Sequence, residues 1–383
     1  MKHWFAIAGI TCLVALGATD LRAQGCVAVR GGGMCSSTAG GAINLHKGEW
    51  NLFSSVRHFE SFRHFRGDHE EAFRVQQGTE VINISSFLDL GISYGITERL
   101  FASALLPFVH HDRSSLYEHG GNPRFDSTGA LIGTWAGDRR HTYASGLADV
   151  RLSLGYWLFD PAESEYNYSV ALGVKLATGA KGATGTFYNQ GPNRDQIATA
   201  VVDQSIQPGD GGIGYTFEMQ GIHPITHELS VASNLFYMAN VTNTNGVRQR
   251  TAQPTWAPDS AEYSSPDQYA ARLGLFYNSM DGWSGYLGGR IEGLPSTDLI
   301  GGSQGWRRPG YAVAVEPGFG YATKDFSVFV SLPVALYRNR VQNYIDKIRT
   351  AQRGVEVIGD AAFADYLINI GFSYRFGGSQ HEM

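Results

Sequence analysis

The chain has 383 residues, of which 48 are glycine, 12% are aromatic and 43% are apolar, with a formal charge of -5. The modest apolar content argues against a bundle of membrane helices, and the slightly acidic balance argues against nucleic acid as a partner. Abundant glycine and aromatic residues suit strands and turns better than helices.

The chain opens with Lys2 and His3, an apolar run from Trp4 to Ala18, and Leu21-Arg22-Ala23 as a cleavage site. Residues 1–23 therefore read as an export signal, since the run is too brief to span a bilayer comfortably. Cys12 leaves with that segment. Export makes a disulfide between the remaining Cys26 and Cys35 chemically reasonable. Gly25-Cys26 also invites a lipidation reading, which the preceding Arg22-Ala23-Gln24 fits poorly.

Beyond residue 48 the dominant signal is alternation. Twelve strands are predicted, at 49–62, 79–96, 100–111, 146–159, 167–177, 212–222, 229–240, 267–277, 284–292, 310–321, 326–337 and 363–376. In the fifth, Tyr168, Val170, Leu172, Val174 and Leu176 oppose Ser169, Ala171, Gly173 and Lys175. In the last, Tyr366, Ile368, Ile370, Phe372, Tyr374 and Phe376 oppose smaller or polar residues. The third strand is poorly phased, because Leu106 and Phe108 compete with Leu105 and Val109.

Connections after even strands are short and those after odd strands are long, without exception. A soluble β-sandwich has no reason to alternate in this way. A twelve-stranded antiparallel up-and-down transmembrane β-barrel does, with short periplasmic turns and long extracellular loops. Closure also gives every backbone amide a partner inside hydrocarbon. The expected organisation is a signal at 1–23, a periplasmic segment at 24–48 reaching toward the lumen, a barrel at 49–376 and a tail at 377–383. Tyr374 and Phe376 would then face lipid in an aromatic girdle, and the last strand resembles the C-terminal assembly signal read by the barrel assembly machinery.

Several stretches resemble the outer-membrane β-barrel family named for a MetA pathway of phenol degradation. They are "GLADVRLSLGYWLFD" (146–160), "ALGVKLATG" (171–179), "DQSIQPGDGGIGY" (203–215), "DLIGGSQGWRRPGYAVAVEPG" (298–318) and "SLPVALYRNR" (331–340). The resemblance implies residence in the outer membrane, among lipid and lipopolysaccharide, and passage of small hydrophobic or aromatic solutes.

Apolar rows facing lipid leave a row facing the lumen: Arg57, Arg151, Lys175, Arg272, Arg290 and Arg375 with Asp89, Asp149, Glu218, Glu292 and Glu316. Signs so nearly balanced predict ion pairs rather than a one-signed selectivity ring. Asp149 with Arg151, and Arg290 with Glu292, stand two apart on one face and are the first pairs expected. Trp306, Arg307 and Arg308 are placed at the extracellular rim, either to capture an aromatic or anionic solute or to pack loops and bind lipopolysaccharide phosphates.

Enzyme chemistry is weakly signalled. Ser86 and His58 fall on adjacent strands at one end of the outward face, as in barrel lipases, but no orienting third group is evident. His110-His111-Asp112 would point to alternate faces of a strand, so no metal site is expected, and no cofactor motif is present. The reading is a channel or transporter for small solutes, with a structural or partner-binding barrel as the alternative.

Overall fold

A computed structural model of the chain describes residues 44–121, 123–125, 131–134, 139–160, 163–249 and 257–378. Residues 1–23 and the Cys26–Cys35 pair lie outside them. The fold is a closed, twelve-stranded antiparallel β-barrel. Its strands are β1 (Glu49–Ser61), β2 (Ile82–Gly95), β3 (Leu100–Ser115), β4 (Arg140–Leu147 and Arg151–Trp157), β5 (Asn167–Lys175) and β6 (Gly214–Pro224). They continue as β7 (Leu229–Asn240), β8 (Gln268–Asn278), β9 (Trp283–Leu294), β10 (Gly310–Ala322), β11 (Phe326–Ser331 and Val334–Arg340) and β12 (Ile368–Gly377). Each strand pairs with its sequence neighbours, and β12 returns to β1 from Glu49↔Gly377 to His58↔Ile368.

The two faces differ as period-two alternation requires. Leu90, Leu106, Leu154, Leu172, Tyr215, Leu273, Leu287, Phe319 and Phe372 are exposed on the outer wall. Asn51, Asp89, Thr216, Arg272, Arg290, Glu316 and Asn369 are buried on the inner one. β3 is also phased clearly: Leu106, Phe108 and His110 point outward, whereas Leu105, Val109, His111 and Arg113 point inward. Near the short turns the outer wall carries aromatic contacts, among them Trp50–Tyr94 at 4.4 Å and the stacked pair Tyr374–Phe376 at 6.0 Å between ring centres.

Three strand boundaries depart from expectation. β4 is interrupted at 148–150, where the Ala148 N–H reaches the Pro107 carbonyl at 2.7 Å. Its outer piece, Arg140–Leu147, pairs with a β3 that runs on to Ser115. β12 begins at Ile368 because Ala361–Phe363 pairs instead with Phe65–Arg63. The third departure is in β11, which crosses Pro333 and resumes, so proline's missing donor marks the break.

Connections at one end are short (96–99, 225–228, 279–282, 323–325) and at the other long (62–81, 176–213, 241–267, 341–367). The long ones carry structure of their own. The helix Tyr344–Arg353 begins with a capping box between Asn343 and Asp346 and ends on Gly354 at φ 69°. Tyr263, Trp306 and Ile345 form an apolar cluster that holds these loops together.

Candidate solute path

Among the described residues, three cavities lie at successive levels of the lumen. The outermost, about 300 Å³, is lined by His64, Arg74, Arg113, Tyr117, Arg308 and Asp360. Arg308 also lines the middle one, about 50 Å³, together with Phe59, Phe87, Gln204, Gln207 and Gln268. The third, about 90 Å³ and nearer the short turns, meets Phe53, Phe101, Arg151, Glu218, Asn234 and Phe236. Phenylalanine rings therefore line the middle and third cavities, and paired charges line all three.

The rings lie flat because glycines lie beneath them. A Cβ on Gly91 would stand 1.9 Å from the Phe53 ring, and one on Gly155 would stand 2.1 Å from that of Phe101. Glycine at these two wall positions keeps the aromatics against the sheet rather than across the lumen.

The lumen charges meet partners. Arg272 grips Glu316 with two nitrogens, at 2.7 and 2.9 Å, and the Ser331 hydroxyl donates to the same carboxylate at 2.7 Å. Arg290 contacts Glu292 at 2.6 Å and lies 3.9 Å from Glu316. Arg57 stacks 4.3 Å above Phe87, while Asp89 accepts from Ser55 within electrostatic reach of Arg57 and Arg151. Arg375 is half-buried at the short-turn end.

One expected pair is replaced. Asp149 lies in the β4 interruption, where its carboxylate accepts from the backbone of Gly179 (2.9 Å) and Asp210 (3.0 Å) and sits 3.5 Å from Lys175. Lys175 also bonds Asp210. Arg151 is left to face Glu218 at 3.6 Å. The break removes the shared face that a continuous strand would have provided.

At the long-loop end, Trp306 and Arg307 are buried rather than displayed. Arg307 forms a two-pronged pair with Asp298 at 2.5 and 2.6 Å. Arg308 pairs likewise with Asp203, at 2.7 Å for both contacts, and its guanidinium lies 4.4 Å from the Trp306 ring centre. Of the three, Arg308 reaches the path. Asp203 was not singled out from sequence, though it opens the stretch "DQSIQPGDGGIGY". That segment turns into the barrel mouth, where Val202 and Ile206 are fully buried and Gln204, Gln207 and Asp210 line the middle cavity. Burial alone would raise the Asp203 pKa; Arg113 and Arg308 outweigh it and hold the carboxyl well below its ordinary value.

On the outer wall, the His58 Nδ1 and Ser86 Oγ are 2.9 Å apart, so the nucleophile and base of the lipase reading do meet. The next strands continue the row with His110 and Ser145 at 2.7 Å. Among the described residues no carboxylate forms an ion pair with His58, the position an orienting third member would take. His111 is buried and bonds Ser85 at 2.9 Å, away from His110, and the described residues hold no cluster of metal-ligating side chains.

No protein-family model matches the chain, and no curated protein sequence does. Solved structures do. An outer membrane channel from Pseudomonas putida F1 has a TM-score of 0.51 at 12% identity, over 87% of this chain and 97% of that one. The β domain of the Bordetella autotransporter BrkA gives 0.44 at 12%, over 86% and 100%. A deletion mutant of the monoaromatic hydrocarbon channel TodX gives 0.44 at 13%, over 94% and 100%. The first likeness establishes a shared barrel fold, and nothing beyond the fold follows at such identity.

Proposed function

We propose that this protein is an outer-membrane channel for small solutes with apolar or aromatic bodies, its long loops outward and its short turns in the periplasm. The observation that carries this reading is the lumen itself. Phenylalanines line its middle and third cavities and already paired charges line all three, a lining that favours neither a bare cation nor a bare anion. The stretches that resemble the phenol-pathway barrels point to the same solute class, although no family model matches the chain. Lipid and lipopolysaccharide would then surround the outer wall, with Tyr374 and Phe376 in the periplasmic girdle.

Proteoliposome swelling tests it. Phenylalanine should enter faster than its size alone predicts when compared with arabinose, and equal size-ordered rates would remove the aromatic preference. The small middle cavity favours one alternative, a barrel closed at rest whose role is structural. Proteoliposomes that admit neither solute would support that alternative.

A further inference from the structure

Asp203 joins two walls of the barrel. Arg113 stands on β3 and Arg308 immediately precedes β10, five strands away around a ring of twelve. The Asp203 carboxylate takes both prongs of Arg308 and lies 3.6 Å from Arg113. It also accepts from the backbone N–H and the hydroxyl of Ser205, at 2.9 and 2.8 Å, and so caps the turn Gln204–Ile206. Arg113 and Arg308 both line the outer cavity, and Arg308 also lines the middle one. Arg308, which Asp203 holds, therefore stands where these cavities meet.

Moving Asp203 aside would take this carboxylate from the partly buried Arg308 and leave the buried Arg113 with Glu118 as its counter-charge. Removing negative charge from between two such guanidinium groups is unfavourable, so the opening is easiest when another anion takes the vacated position. A carboxylate matches the fork of an arginine in two parallel hydrogen bonds. Below it, Phe59, Phe87, Pro266 and Leu294 offer an apolar surface to the rest of such a molecule.

We propose that Asp203 is the specificity-determining latch of the path, and that small monocarboxylates with an apolar body pass by exchanging with it on Arg113 and Arg308. This rests on the channel reading and narrows its solute class.

The test is the purified full-length protein in planar bilayers, with benzoate and benzyl alcohol as probes. Benzoate should alter the wild-type current at a lower concentration than benzyl alcohol. Asp203→Asn should shift the reversal potential in a KCl gradient toward chloride, raising anion-over-cation permeability about threefold or more. Should that variant fail to fold, Arg308→Gln must shift it the opposite way. A wild type that conducts, with an unchanged reversal potential in a folded variant or with equal responses to both probes, overturns this inference alone. A wild type that carries no current and admits no benzoate overturns the channel reading with it.

Discussion

Glu316 is fully buried on β10 and receives both prongs of Arg272 from β8, two strands away around the wall. With Ser331 donating to the same carboxylate and Arg290 beside it, the group braces three neighbouring strands and β11.

Glu316→Gln should destabilise the folded barrel by about 3–5 kcal/mol, because Arg272 would be left buried without its counter-charge. Replacing both partners by apolar residues, Arg272→Met with Glu316→Leu, should recover most of that loss. Urea unfolding in detergent micelles measures both. An unaltered midpoint for the single variant would show that the pair contributes little.

Gly155→Val places a side chain where the Phe101 ring lies, so the ring must turn into the third cavity. Conductance should fall, and the overpacking should cost about 1–3 kcal/mol. Adding Phe101→Ala should restore current. If conductance is unchanged in the single variant, the third cavity is not on the path.

The pH response of the latch follows from its charges. Asp203 is faced by Arg113 and Arg308 with Tyr117 and Tyr263 beside them and Glu118 beyond Arg113. Burial pushes the Tyr117 phenol up to about 12, so it stays neutral in any ordinary buffer. A carboxyl depressed below its ordinary 3.8 contributes stability that is fully present above that value and is lost only as pH falls through the lower, folded one. Current from the wild type should thus show no step attributable to this group between about pH 5 and 8, judged against Asp203→Asn. A wild-type transition in that range that the variant lacks would contradict the depressed pKa.

Leu273 is 60% exposed on the outer wall of β8, and its neighbour Arg272 is buried in the lumen. Leu273→Arg should cost about 2–4 kcal/mol in bilayers if this position lies near the midplane. The same change should be nearly neutral in denaturant titrations if the wall faced water. Folding yield into lipid vesicles distinguishes the two.

The barrel was legible in sequence because alternation of period two is local: Tyr168 to Leu176 or Ile368 to Phe376 declare two faces without reference to any other strand. Arg290 and Glu292 were legible for the same reason. Asp149 meets Lys175 rather than Arg151 because the interruption at 148–150 breaks the two-residue spacing on which counting relies. Arg308 was found but not its role, since Asp203 lies 105 positions away and nothing in either neighbourhood marks the other. Loop contacts of that kind depend on how the long connections fold over the mouth, and pattern reading does not reach them.

The channel reading requires a narrow route between the ion-paired inner wall and the loop carrying Asp203, one that opens when that side chain moves aside. Single-channel recording of the folded, full-length protein tests it most directly. Small, discrete, ohmic steps that grow when Asp203 becomes asparagine are the predicted result. A flat trace for both the wild type and that variant, in bilayers where their insertion is verified, would contradict it.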